Sequence, residues 1–185
     1  MSEPRTLLFM DTEFSGLTQD TSLISLALVD EENNSFYAEF SDFKREQCDN
    51  WIKDNVLAHS LWIDQEIEYF TRKDGSQQQV FGDKTFVKEQ LSRWLAEYGL
   101  VKIWADCPAW DWVLFAELFG GALAIPKNVF YMPHDIATLF SIKGLNPDTS
   151  RAEFSGLGLT LHNALDDALM IRTCYQKLMQ RPDCL

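Results

Sequence analysis

Acidic residues at three separated places carry the chemistry this chain could do. Asp11-Thr12-Glu13 directly follows the apolar run Leu7-Leu8-Phe9-Met10. Side chains two apart on an extended strand share a face, so Asp11 and Glu13 are predicted to project together from a strand end. Two hard oxygen ligands at that spacing can hold Mg2+ or Mn2+, or bridge a pair of such ions. Alone the triplet is a weak signal, because the polar end of an ordinary strand looks the same. The second place is Asp111, inside Trp104-Ala105-Asp106-Cys107-Pro108-Ala109-Trp110-Asp111-Trp112. At ~100° per residue it shares a helix face with Leu114, Phe115 and Leu118. An acid on an apolar face is costly unless it is paired or metal-bound; the alternative is that it favours the positive end of the helix. Asp106, just past a strand end, competes with Asp111 for the functional role, but its closeness to Pro108 favours a turn or capping residue. The third place is Leu161-His162-Asn163-Ala164-Leu165-Asp166-Asp167-Ala168. Asp167 falls ~60° from the centre of the apolar stripe Ala164, Ala168, Ile171, Tyr175 and Leu178 and so looks toward a sheet. Asp166 falls on the opposite, solvated side with Met170, Thr173 and Lys177. His162 precedes the helix, and a neutral imidazole with a pKa near ~6.5 can accept a proton at neutral pH. By itself, a structural loop histidine is the plainer reading.

The elements that must position these residues are legible from periodicity. Leu7–Met10, Thr21–Val29 and Phe36–Phe40 read as strands, the last two joined by a turn at Glu31-Glu32-Asn33-Asn34. Apolar residues recur at helical spacing over Lys44–Leu57 and Asp83–Tyr98, with Gly99 as a stop. Val101–Trp104 reads as a strand, Ala109–Phe119 as a helix ended by Gly120-Gly121, and Val129–Met132 as a final strand. Ile136–Ile142 is a short helix capped by Asp135, 144–158 is loop, and Asn163–Gln180 is the last helix. Three strands followed by alternating helix and strand predict an α/β fold with a mixed sheet covered by helices.

Composition sets the outer limits. The 185 residues are 46% hydrophobic and 13% aromatic, too apolar for a disordered chain, and suit a single domain over 1–185. No apolar run approaches the ~18 residues of a membrane helix, and no secretory signal opens the chain. Cys48, Cys107, Cys174 and Cys184 are scattered without zinc spacing and read as free thiols of a cytoplasmic protein. The net charge of −12 argues against a broad basic surface for duplex nucleic acid. Lys143 and Arg151, in the segment leading to His162, could meet phosphate or simply be solvated. Arg72-Lys73 before Asp74-Gly75 decorates a hairpin turn. His59 and His134 have no constellation around them, and Trp51, Trp62 and Trp94 read as core or interface residues.

Asp11, Glu13, Asp111, His162 and Asp167 follow one another in an order that resembles the DEDDh exonucleases of the RNase T and polymerase-proofreading superfamily. There the pattern is D-x-E on the first strand, a mid-chain Asp, and H-x4-D leading into the last helix. The likeness is closer to the small mycobacterial-type exoribonuclease branch. Phe9-Met10-Asp11-Thr12-Glu13-Phe14, Leu23-Ile24-Ser25, Trp104-Ala105 through Ala109-Trp110-Asp111, and His162 through Ala168 are similar to its motifs. Phe14-Ser15 departs from the T-T-G common in the wider superfamily. The resemblance implies an RNase H-like fold and a 3′-5′ exonuclease acting on RNA, with single-stranded DNA as an alternative substrate, and releasing nucleoside 5′-monophosphates. It implies two Mg2+ or Mn2+ ions on Asp11, Glu13, Asp111 and Asp167, with His162 as the base. It also implies terminal-nucleotide contacts from Thr12, Phe14 and Ser15, and a homodimer. Two ions would also answer the objection from net charge, because a short 3′ end needs few phosphate contacts. The rival readings are a non-catalytic binding module of the same fold and a metal-dependent nucleotidase.

Overall fold

The computed structural model describes residues 5–182; Cys184 lies outside the described residues. A seven-stranded sheet carries the molecule: β1 (Arg5–Phe14), β2 (Leu23–Asp30), β3 (Ser35–Phe40), β4 (Phe70–Asp74), β5 (Gln77–Gly82), β6 (Leu100–Ala105) and β7 (His134–Asp135). Their order across the sheet is β4-β5-β3-β2-β1-β6-β7. The β1–β2, β2–β3 and β4–β5 pairs are antiparallel. The β1–β6, β3–β5 and β6–β7 pairs are parallel. The helices are α1 (Asn50–Asn55), α2 (Lys84–Leu95), α3 (Ala109–Phe119), α4 (Ile136–Ile142), α5 (Arg151–Ser155) and α6 (Ala164–Met179). This is the expected α/β mixed sheet flanked by helices.

Strand alternation decides which residues meet which helix. Leu8 and Met10 of β1 join Leu26, Leu28 and Phe36 in one buried layer, closed by Leu91 and Leu95 of α2 and by Phe115 and Phe119 of α3. Phe9 points the other way, into a layer with Ala27, Val29 and Tyr37 that is closed by Phe140 of α4 and Ala168, Ile171 and Leu178 of α6. With period 2, Asp11 and Glu13 therefore continue the α6 face while Thr12 continues the α3 face.

Several elements differ from the sequence expectation. β1 runs to Phe14, so the acidic triplet lies inside the strand, held by pairing to β2 as far as Leu23 with a register shift between Glu13 and Phe14. The single helix expected over 44–57 is α1 flanked by two 3-10 turns, Arg45–Gln47 and Leu57–His59, with Asp49 capping α1 through its bond from the Ile52 amide. The Asp74-Gly75 turn does join two strands, but β4 and the start of β5 are too polar to announce themselves. The strand expected over 129–132 is reduced to one bridge between Val129 and Val101, with the Phe130 amide donating to the Val101 carbonyl at 2.9 Å; the pairing passes to His134 and Asp135 instead. The segment 144–158, expected to be loop, contains α5, capped by Ser150. Met170, placed on the solvated side of α6 by the helical wheel, is buried, because α6 is covered on more than one side.

Candidate active site

β1 overshoots β6, and the acids stand where it does. The β1–β6 ladder ends at Phe9 and Trp104, so on that side the Thr12 amide has no strand partner. Such a buried donor needs an acceptor. Asp111, in the first turn of α3, supplies it: its Oδ1 accepts from the Thr12 backbone N–H at 3.0 Å and from the Thr12 hydroxyl at 2.7 Å. The two bonds reach across the end of the sheet from the α3 side and fix a carboxylate that is only 8% exposed. Both fall on one oxygen, and neither uses Oδ2.

From the other face comes Asp167, one turn into α6. One carboxylate oxygen each from Asp11, Glu13 and Asp167 lies within 4.8 Å of the others. Asn163 begins α6 by accepting the Leu165 and Asp166 amides, and Asp166 turns aside to accept the Thr160 amide at 2.9 Å. His162, just before the cap, has φ of 61°, a left-handed conformation that costs a non-glycine residue energy. Its ring meets Trp51 of α1 edge to face, centroids 4.8 Å apart. All five residues line one cleft of about 770 Å3, together with Thr12, Phe14, Ser15, Leu17, Trp51 and Asp106.

The electrostatics of the cleft are those of crowded acids. Burial, then the charges of Asp111, Asp167 and Glu13, holds the Asp11 carboxyl well above its ordinary range. Glu13 is pushed up to about 8 by burial and by Asp167 and Asp111. Asp167 is pushed up to about 7, chiefly by burial, against the restraining amides of His162 and Asn163. Burial raises Asp111 too, opposed by the two Thr12 bonds. Among the described residues none of these four acids forms an ion pair with Lys or Arg. Hard oxygen donors converging without a protein cation fit a divalent ion such as Mg2+ or Mn2+. The His162 imidazole titrates below its ordinary value, through burial and then the nearby His59, so it is neutral at pH 7.

The crowding has a measurable cost. Unfolded Glu13 titrates near 4.5 and the folded group near 8. Between those values the folded chain keeps a proton the unfolded chain has lost, so this group lowers stability as pH rises. Without metal, Glu13→Gln is expected to raise the melting temperature at pH 8 by roughly 2–5 °C. The gain should shrink as the pH falls toward 5.5, and added Mg2+ should stabilise the wild type more than the variant. Thermal scans with and without EDTA check this; a variant less stable than wild type at pH 8 refutes it.

The remaining candidates divide. The Thr12 hydroxyl is committed to Asp111, and the buried Ser15 hydroxyl to Gln47 at 2.6 Å and to Thr21 and Ser22. Both therefore shape the cleft wall from behind. Thr12→Val should lower turnover about 10- to 100-fold, as loss of an orienting bond to a metal-side ligand does, whereas Thr12→Ser should retain most of it; steady-state kinetics compares the two. Phe14 packs near Trp110, centroids 6.4 Å apart, at the cleft rim. Lys143 is buried and donates to the Arg181 carbonyl at 2.8 Å. Arg151 pairs with Asp106 at 2.8 Å. Neither is the solvated or phosphate-facing cation expected from sequence. Asp106 makes no cap on α3, whose N-cap is Pro108 without a side-chain bond; it lines the cleft instead. Trp51 is 51% exposed, and its place beside His162 escaped the sequence reading. No local signal marked it, because a Trp within the helix expected over 44–57 reads as core or interface. Trp94 is core and Trp62 packs beside the Tyr37 layer, as expected. A second grouping, Asp106, Cys107 and Asp135, has its acids satisfied within the protein: Asp135 caps α4 and accepts the Cys107 amide.

A mixed sheet with helices on both faces and an acidic cleft where β1 overshoots β6 is the RNase H-like architecture. The fold is shared with the nuclease-containing catalytic unit of Neurospora crassa Pan2: the TM-score is 0.51 at 15% identity, covering 97% of this chain and 28% of that one. The likeness is one of fold. The chain belongs to the 3′-5′ exoribonuclease Rv2179c-like domain family, whose model matches residues 6–179. Two curated relatives, the 3′-5′ exoribonucleases Rv2179c and MT2234.1 of Mycobacterium tuberculosis strains H37Rv and CDC 1551, are each 26% identical over 171 residues. The match covers 86% of this chain and 85% of theirs. The protein is thus an enzyme, a hydrolase of the nuclease class. Among the described residues no helix is long and apolar enough to cross a membrane.

Proposed function

We propose that this chain hydrolyses RNA from its 3′ end, one nucleoside 5′-monophosphate at a time, with two Mg2+ or Mn2+ ions held by Asp11, Glu13, Asp111 and Asp167. The observation that carries the reading is the convergence of Asp11, Glu13 and Asp167, with Asp111 reaching the same cleft from the other face of the sheet and His162 beside them. Bound there, divalent cations would activate water and offset charge on the scissile phosphate. The protein's own share is positional. Asp11 and Glu13 hold a fixed spacing because β2 and the layer around Phe9 clamp their strand. Thr12 orients Asp111 by two bonds to its Oδ1. His162 takes the proton of the attacking water at an unprotonated ring nitrogen. Phe14 and Trp51 offer aromatic surface at the rim for the terminal base, where stacking tolerates any base.

The test is incubation of 5′-labelled RNA and single-stranded DNA with the purified protein, with Mg2+ or Mn2+ and with EDTA. A ladder shortening from the 3′ end of RNA only with metal is the expected result. Intact RNA under all conditions, or turnover of mononucleotides alone, refutes the reading, the latter in favour of a nucleotidase. A DNA ladder of equal rate would show that the ribose is not selected. Homodimerisation in the cytoplasm, carried over from the resemblance, is part of the proposal and is checked by sedimentation.

A further inference from the structure

We propose that the Asp106–Arg151 ion pair is a positioning device of this cleft: Arg151 cancels a fifth carboxylate at the wall and so sets how much negative charge the cations meet. The inference rests on the two-ion reading above. Asp106 directly follows β6 and lines the cleft with Asp11, Glu13, Asp111 and Asp167. Its side chain is only 28% exposed, so its charge at that wall is incompletely screened by water. Left alone, it would compete for cations with the four acids proposed as ligands.

Arg151 is built to prevent that. Its Nη2 donates to Asp106 Oδ1 at 2.8 Å, the two side chains being 14% and 28% exposed. The same Nη2 donates to the Pro147 carbonyl at 2.8 Å, and Nη1 donates to the Thr149 carbonyl. The guanidinium lies over the Phe140 ring, 4.4 Å from its centroid, and Phe140 in turn packs edge to face on Phe154, 4.8 Å away. A planar cation with several fixed acceptors and an aromatic floor is a preorganised counter-charge. Arg151 also opens α5, which leads through Gly156 and Gly158, at φ of 70° and 62°, into the segment that delivers His162. One ion pair thus ties the β6–α3 junction to the chain that carries the base.

Mn2+ binding, measured by calorimetry or electron paramagnetic resonance on the full chain, tests this, with RNA turnover in parallel. Arg151→Gln is expected to tighten Mn2+ binding about three- to tenfold, or to add a bound ion, while turnover falls about tenfold or more. Asp106→Asn is expected to weaken Mn2+ binding by a similar factor, because it leaves Arg151 as an uncancelled cation. The double variant should return to within about twofold of the wild-type dissociation constant. Opposite shifts that cancel are the mark of charge control. A mere structural clamp would weaken binding in both single variants and gain nothing in the double, and that pattern overturns the proposal. So does a double variant as weak as Asp106→Asn, which would make Asp106 a ligand. Wild-type protein that binds no Mn2+ defeats the two-ion reading as well, whereas normal wild-type binding with an unchanged Arg151→Gln defeats only this inference. Should Arg151→Gln fail to fold, the double variant decides against Asp106→Asn: a dissociation constant restored to within about twofold of wild type supports the proposal, and one as weak as that of Asp106→Asn overturns it.

Discussion

Asp167→Asn is expected to lower exonuclease turnover by about 10^3-fold or more, while the metal-free protein melts at a higher temperature than wild type at pH 8. The two halves of that result come from one geometry. Asp167 is the acid that α6 brings to within 4.8 Å of Asp11 and Glu13, so an amide there removes one of the proposed anionic ligands without changing shape. It also removes the largest single charge pressing on Glu13, after burial itself. Glu13 then titrates closer to its ordinary value, and the penalty that grows as pH rises is relieved. A variant that loses activity by misfolding melts lower; this one should melt higher and bind Mn2+ more weakly. Turnover within tenfold of wild type would remove Asp167 from the ion-holding set.

Much of this site could be read from the sequence, because two periodicities carry most of it. Period 2 joins Asp11 to Glu13, and period 3.6 separates Asp167 from Asp166 and turns Asp111 toward apolar neighbours. The structure brings all four acids to one cleft. The same period-2 argument, pursued one residue further, would have sent Thr12 to the opposite face, where Asp111 waits. What alternation could not supply is the length of β1 beyond its partner β6, since that depends on where a strand ninety residues away stops. Nor could local reasoning find the Asp106–Arg151 pair, whose members are 45 positions apart and each have an ordinary local explanation.

The misread elements share a cause as well. α1, α5 and β4 are short and draw their order from neighbours instead of from their own pattern. Phe43, Cys48 and Val56 gather around Ile24, which breaks the chain over 44–57 into three short turns of helix. Edge strand β4 shows exposed Thr71, Arg72 and Lys73, the charged and polar face that an edge needs against further pairing. Long, two-sided elements such as β2 and α6 were legible because burial on them is dense enough to leave a pattern.

His162→Asn is expected to lower kcat about 10^2- to 10^4-fold and to leave Mn2+ affinity within about twofold of wild type. The proposed function gives the imidazole the proton of the attacking water and leaves the ions to the carboxylates, so ligand loss is not the expected cause of the defect. Asn is the replacement of choice because His162 sits at φ of 61°, a region Asn tolerates better than Ala or Gln. The backbone that delivers the Asn163 cap and Asp167 is then preserved, and only the proton acceptor is gone. The pH profile gives a second readout. Burial and His59 lower the His162 pKa; protonated, the ring cannot accept a proton, so wild-type turnover at saturating metal should fall on the acid side with a limb below 6.5. The variant should lack that limb. If His162→Asn instead weakened Mn2+ binding in step with turnover, the ring would belong with the ligands and the attacking water would need another base.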